Sequence, residues 1–157
     1  MKAIEIMTAS PYCAFTTDTL ADVARRMRDH DCGSVPVIDH GSIVGIVTDR
    51  DLAIRALADG LSADAKVVEV MTMSPACCSG DADLQDVERL MSDRQVRRVP
   101  VVDTANRVIG IISQADLARA AFRARVSDRE VAIVVEAISE PPLRASRHSS
   151  DELEQLL

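Results

Sequence analysis

An internal repeat is the feature that most constrains how this chain can fold. The segment KAIEIMTASPYC at 2–13 returns as KVVEVMTMSPAC at 66–77, an offset of 64 residues. After one inserted residue near Asn106 the offset becomes 65. Matching pairs on the two offsets include Met7/Met71, Thr8/Thr72, Val35/Val99, Pro36/Pro100, Gly45/Gly110 and Asp51/Asp116. A repeat of this length indicates two copies of one structural unit, neither of which buries enough surface alone.

Both copies predict the same order of elements. A short strand near 13–15 or 77–79 precedes an amphipathic helix, whose apolar residues in the first copy recur at helical spacing. These residues are Leu20, Val23, Ala24 and Met27. Two strands with a short turn follow, and a last helix is expected from Asp51 to about Asp59, or from Asp116 to about Arg125. We therefore expect an α+β fold of two β-α-β-β-α repeats, packed sheet to sheet around a shared core with pseudo-twofold symmetry.

The chain divides into three parts on this pattern. The first repeat is expected over 1–60, the second over 61–125, and a C-terminal helix with a tail over 126–157. The segment Ser127–Glu130 has the pattern of a capping box, and the pair of prolines at 141–142 ends the helix that it opens. The remaining polar stretch is either a frayed tail or an amphipathic handle for a partner.

Three sets of motifs give the chain a family resemblance. They are IMT and VMT at the repeat starts, VPVID and VPVVD in the middle, and GIVTDRDL and GIISQADL at the ends. In this order the chain resembles a tandem pair of cystathionine-β-synthase (CBS) domains, a Bateman module, over residues 3 to about 125. The resemblance implies a regulatory homodimer that binds an adenosyl ligand, such as AMP, ADP, ATP or S-adenosylmethionine, between the repeats. It would pass a signal to an effector protein and need no other cofactor.

The resemblance also implies which residues bind the ligand. A carboxylate can accept hydrogen bonds from both hydroxyls of a ribose, and the pattern implies this role for Asp51 and Asp116, assisted by Thr48 and Ser113. The same spacing, Ser/Thr-x-x-Asp, is also that of a helix capping box, so both interpretations stay open.

Basic and apolar residues complete the implied site. Arg97, Arg98 and Arg50 are candidates for phosphate contacts, because guanidinium groups match phosphate oxygens. The alternative is that they form surface ion pairs. Similar modules hold adenine against apolar strand residues, which here would be Val35, Pro36, Val99 and Pro100.

Composition excludes several other functions. The formal net charge of −7 disfavours binding to nucleic-acid polymers or an anionic membrane, although the second repeat has as many basic as acidic residues. There is no apolar run of membrane-spanning length and no secretory signal, which predicts a cytoplasmic protein. The motifs GxSxG, HExxH, GxGxxG and the P-loop are missing, so catalysis is not expected.

Two other functions remain as alternatives. One is a ligand-independent scaffold for protein partners. The other is a redox or metal sensor built on Cys13, Cys32, Cys77 and Cys78, although no metal-ligand spacing is present and buried, reduced thiols are expected.

Overall fold

The computed structural model describes residues 1–123 and 128–139, which form six helices and eight strands. In the first repeat the elements are α1 (Ala3–Ile6), β1 (Thr8–Ala9), β2 (Ala14–Phe15), α2 (Leu20–Asp29), β3 (Ser34–Asp39), β4 (Ser42–Thr48) and α3 (Asp49–Asp51), which continues as a π-helix over Leu52–Leu57. In the second they are a 3₁₀ turn (Val67–Glu69), β5 (Thr72–Met73), β6 (Cys78–Ser79), α4 (Leu84–Arg94), β7 (Arg98–Val102), β8 (Val108–Ser113) and α5 (Gln114–Arg123). A last helix, α6 (Asp128–Ser139), packs on α4 and α5. The α+β fold of two similar repeats is confirmed.

The long helices form where capping and apolar spacing coincide. Thr19 caps α2 by accepting a hydrogen bond from the Asp22 N–H, and the Asp22 side chain accepts one from the Thr19 N–H in return. Leu20, Val23 and Met27 are buried, as expected, but Ala24 is exposed. The apolar stripe of α2 is therefore narrower than the spacing predicts.

Each of the two four-stranded sheets contains a strand from the other repeat. Their orders are β1-β8-β7-β6 and β2-β3-β4-β5. In the first, β1 pairs antiparallel with β8, placing Thr8 opposite Ile111; in the second, β5 pairs antiparallel with β4, placing Thr72 opposite Ile46. The opening segment of each repeat thus completes the sheet of its partner repeat, an exchange that the repeat pattern does not predict.

Two glycines allow the exchanged segments to pack closely on the sheets. A Cβ on Gly45 would collide with the sulfur of Met71, and a Cβ on Gly110 would collide with the side chain of Met7. These are equivalent pairs on the repeat, so the same glycine–methionine contact anchors both exchanged segments.

The apolar interior forms two clusters, which corrects the expectation of one shared core. The first cluster surrounds α2, β3 and β4 and includes Val67, Val70 and Met71 from the second repeat. The other surrounds α4, β7 and β8 and includes Ala3 from the first repeat. Because the opening segments cross over, each repeat inserts side chains into the core of the other, and the two cores are linked through the chain rather than merged.

The last helix of each repeat begins earlier than predicted. α3 starts at Asp49 and α5 at Gln114, because Thr48 and Ser113, rather than the aspartates, cap the helices. The end expected near Arg125, the cap at Ser127 and the tail from 140 onward lie outside the described residues. Among those described, no helix has both the length and the apolar character needed to cross a membrane.

Candidate functional site

A cavity of about 490 Å³ lies between the two repeats. Its walls come from the segment 8–12 that contains β1, from the link 30–34 between α2 and β3, and from the junction of β8 with α5. The polar side chains of that junction are Ser113, Asp116 and Arg119, and Arg98 of β7 joins them. We call this space the Asp116 cleft.

The Ser113–Asp116 pair forms a complete capping box. The Ser113 backbone N–H and hydroxyl donate to Asp116 Oδ2 at 2.8 and 2.6 Å, and the Asp116 N–H donates to Ser113 Oγ at 3.3 Å. The other carboxylate oxygen, Oδ1, accepts a hydrogen bond from Arg119 at 2.5 Å. The capping interpretation therefore holds for this pair, and Oδ1 is the oxygen that remains for a ligand to share or take over from an exposed arginine.

Asp116 is held in its charged form. Burial on its own would raise the pKa of this carboxyl group, but hydrogen bonds from the Ser113 hydroxyl, the Ser113 backbone and Arg119 outweigh burial. The net result is a pKa below the ordinary value of 3.8. At neutral pH the group is an acceptor only, as recognition of a diol requires.

The equivalent pair in the first repeat lies elsewhere. Thr48 and Asp51 form the same box, with the Thr48 N–H and hydroxyl donating to Asp51 Oδ2 at 2.9 and 2.7 Å. Asp51 Oδ1 faces Arg55 at 3.4 Å. Neither Thr48 nor Asp51 lines the Asp116 cleft. The four residues expected at the ribose are thus divided between two pseudo-symmetric places. We call the second place, the surroundings of Thr48, Asp51 and Thr72, the Asp51 cleft because the repeat makes it equivalent to the Asp116 cleft.

The three candidate arginines also differ in position. Arg98 is half-buried and lines the Asp116 cleft, where no carboxylate of the described residues lies within ion-pairing distance of it. A Cβ on Gly33 would lie 2.9 Å from Asp49 Oδ2 and 3.2 Å from Arg98 Nη2, so the glycine makes room for both side chains. Arg97 and Arg50 are exposed and do not line this cavity. Their phosphate role stays a prediction.

The residues expected to contact adenine are buried in the two cores. Val35 and Val99 have no exposed surface, and Pro36 and Pro100 are also buried. None of the four lines the Asp116 cleft, so their role stays a prediction.

An aromatic pair lines the cleft instead. The rings of Tyr12 and His30 stack with their centroids 3.3 Å apart and an angle of 18° between their planes. Neither residue stands at a motif position, although the single tyrosine of a chain with so few aromatic residues was a usable signal.

The four cysteines are half-buried free thiols. Burial raises the pKa of Cys13, Cys32 and Cys77, and burial together with the neighbouring Cys77 raises the pKa of Cys78 to about 11. Within residues 1–123 and 128–139, no three His, Cys, Asp or Glu side chains converge as metal ligands would. Cys32 lines the Asp116 cleft.

Comparison with known proteins agrees with this architecture. The CBS domain family matches residues 3–57 and 67–123. Hypoxic response protein 1 of Mycobacterium tuberculosis is 35% identical over 146 residues, which are 92% of this chain and 98% of that protein. The solved structure of Hypoxic Response Protein I with two coordinated zinc ions has a TM-score of 0.70 and 36% identity, covering 76% of this chain and 98% of its own.

Two further solved structures contain adenosyl compounds. The CBS domain pair of protein MJ0100, in complex with 5′-methylthioadenosine and S-adenosyl-L-methionine, has a TM-score of 0.72 and 29% identity over 80% of this chain and 98% of its own. CBSX2 in complex with AMP has a TM-score of 0.68 and 26% identity over 79% of this chain and 98% of its own. The two family matches fall on the two halves of the repeat, and the chain therefore belongs to the CBS domain family as a tandem pair.

Proposed function

We propose that this protein is a non-catalytic regulatory module that binds an adenosyl ligand in the Asp116 cleft. The observation that carries the proposal is the cavity between the repeats, which is lined by an ionised aspartate, by an aromatic pair and by Arg98, an arginine with no ion pair to a described carboxylate. The adenosyl compounds bound by the similar structures of MJ0100 and CBSX2 support the choice of ligand class.

Each side chain of the cleft suits one part of an adenosyl ligand. Asp116 Oδ1 would accept hydrogen bonds from the ribose hydroxyls, and Arg119, now bonded to that oxygen, would swing aside or share it. Arg98 would pair with an anionic group of the ligand, phosphate or carboxylate. The Tyr12–His30 stack offers a flat surface against which a purine can lie.

The position of the cleft supports a regulatory role. Its walls come from both repeats, so a bound ligand interacts with one relative arrangement of the repeats more favourably than with others. An effector protein would then respond to the arrangement of the repeats that the ligand favours.

We further propose a homodimer through the exposed apolar ends of the last helices, because Leu57 and its repeat equivalent Phe122 are 79% and 82% exposed.

Titration calorimetry with AMP, ADP, ATP, S-adenosylmethionine and 5′-methylthioadenosine tests the proposal. We expect the wild type to bind at least one of them and Asp116→Ala to lose about tenfold or more in affinity, since a hydrogen bond to a charged group contributes roughly 1.5–3 kcal/mol. Asp51→Ala is the matched control, because it removes the same capping box outside the cavity. Equal affinity of the wild type and Asp116→Ala would refute the ribose assignment.

A zinc or redox sensor is the second candidate. The zinc ions in the structure of Hypoxic Response Protein I favour it. Against it, the raised pKa of all four thiols lowers the thiolate fraction that metal binding and oxidation need. Stoichiometric zinc in the purified protein, or rapid titration of the native thiols, would favour the sensor. Binding of a protein partner with no response to any nucleotide would favour the scaffold instead.

A further inference from the structure

The two clefts differ although the repeat makes their residues equivalent. Thr8 and Asp116 line the open Asp116 cleft. Their repeat equivalents are Thr72 and Asp51, and both of these side chains contact the same guanidinium group, that of Arg55. The Asp51 cleft thus contains a cation supplied by the chain itself.

Arg55 connects three groups of the Asp51 cleft. Its Nη1 donates to the carbonyl of Val70 at 3.0 Å and lies 3.4 Å from Thr72 Oγ1, and its Nε lies 3.4 Å from Asp51 Oδ1. Val70 and Thr72 belong to the opening segment of the second repeat, so the side chain spans from the last helix of one repeat to the exchanged segment of the other.

The Asp116 cleft has no counterpart of this bridge. The position equivalent to Arg55 is Ala120, which is buried and has no group that could reach across. The arginine that does contact Asp116 is Arg119, one residue earlier, and within the described part of the chain Asp116 is its one hydrogen-bond partner. Arg119 can therefore move without breaking a hydrogen bond between the repeats among the described residues.

The helix that follows Asp51 is wound differently from its repeat equivalent. The helix after Asp51 is a π-helix over Leu52–Leu57, where the Ala58 N–H donates to the Ala53 carbonyl, five residues back. Residues four positions apart lie on the same face of a helix, which places Arg55 beside Asp51. The equivalent helix α5 is a regular α-helix.

We infer that Arg55 occupies the Asp51 cleft as an internal substitute for ligand, so that each chain binds one adenosyl ligand, in the Asp116 cleft. Arg55 is then the residue that sets the stoichiometry. This inference rests on the proposed function, because it takes the Asp116 cleft to be the adenosyl site.

Stoichiometry measured by calorimetry tests this inference, with AMP, ATP and S-adenosylmethionine titrated separately. We expect one molecule per chain for the wild type and two for Arg55→Ala, with the second site lost again in the Arg55→Ala, Asp51→Ala double variant. Arg55→Met keeps the apolar stem of the side chain and serves as a second variant in case Arg55→Ala folds poorly. It should also bind two ligand molecules per chain. Arg89→Ala is the matched control, because it removes another exposed arginine–aspartate pair at 3.5 Å, on α4, and should bind one.

Two binding results would overturn the inference and leave the proposed function standing. These are two molecules per wild-type chain, or one molecule per chain for both Arg55 variants. If no probe binds the wild type, the proposed function fails, and amide exchange decides the role of Arg55 separately. If Arg55 bridges the repeats, amide hydrogen exchange over residues 70–74 should be at least severalfold faster in Arg55→Ala than in Arg89→Ala. Equal exchange rates in the two variants would overturn this role of Arg55.

Discussion

The two carboxylate oxygens of Asp116 have different partners. Oδ2 is used by the helix cap, and Oδ1 faces Arg119 and the cavity. The choice between a capping box and a ribose contact, which the sequence left open, is therefore not exclusive, because one oxygen satisfies the helix and leaves the other for a ligand. Arg98 differs from Arg119 in that no carboxylate of the described residues forms an ion pair with it. Its guanidinium group is therefore available to an anionic ligand in the cleft.

The depressed pKa of Asp116 predicts a pH-dependent contribution to stability. Because the folded pKa lies below the ordinary 3.8, this carboxylate stabilises the fold above that pH, and its contribution is lost as the pH falls through the folded pKa. We expect Asp116→Asn to be less stable than the wild type at pH 6, and the difference to shrink by pH 3. Urea denaturation at several pH values measures it.

Asp64→Asn is the control for this experiment. Its carboxylate is exposed and accepts no hydrogen bond in the described part of the chain, so we expect this variant to have the same free energy of unfolding as the wild type at pH 6. A gap between the wild type and Asp116→Asn that stays constant from pH 6 to pH 3 would contradict the account of Asp116.

At the scale of elements, the exchanged strands determine how the repeats are joined. β1 and β5 are two residues long, and each lies against a glycine on the neighbouring strand with a methionine packed over it. The close approach depends on the missing side chain of the glycine, since interiors packed to this density do not accommodate extra atoms without strain.

Gly110→Ala should therefore destabilise the protein by about 1–3 kcal/mol, the usual cost of overpacking. The physical reason is the collision between the new Cβ and the Met7 side chain. Chemical denaturation followed by circular dichroism measures the change. Gly80→Ala is the matched control, because Gly80 is also buried but the nearest atom to its added Cβ is 3.4 Å away, an ordinary contact. Equal free energies of unfolding for the two variants would show that the methionine contact does not anchor the exchange.

The elements show which features a sequence pattern can predict. The helix α2, the two hairpins and both capping boxes follow from local spacing and cap chemistry, and all of them are present. The exchange of β1 and β5 was not predictable, because a two-residue strand has too few side chains to specify its partner. The π-helix at Leu52–Leu57 also has no signal, since the repeat shows no insertion there.

At the scale of the whole molecule, two cores are linked by crossed segments, and the cavity lies between the repeats. Ser113, Asp116 and Arg98, which line the cavity, were proposed from the sequence because they stand at or beside motif positions. Tyr12 gave one signal, as the single tyrosine of the chain, but its stacking on His30 was not predictable because the two residues come from segments that meet only in the folded chain. Asp51 and Asp116 occupy equivalent motif positions, so the motif alone does not show that their surroundings differ. The difference comes from a position outside the motif, which is Arg55 in the first repeat and Ala120 in the second.

The central claim is that the Asp116 cleft is the adenosyl site. A crystal structure of the protein grown with AMP or S-adenosylmethionine tests it most directly, because it locates the ligand rather than only detecting it. We predict an adenosyl group within the cavity, with its ribose hydroxyls within hydrogen-bond distance of Asp116 and its purine against Tyr12. A ligand bound at Asp51 with the Asp116 cleft empty would contradict it.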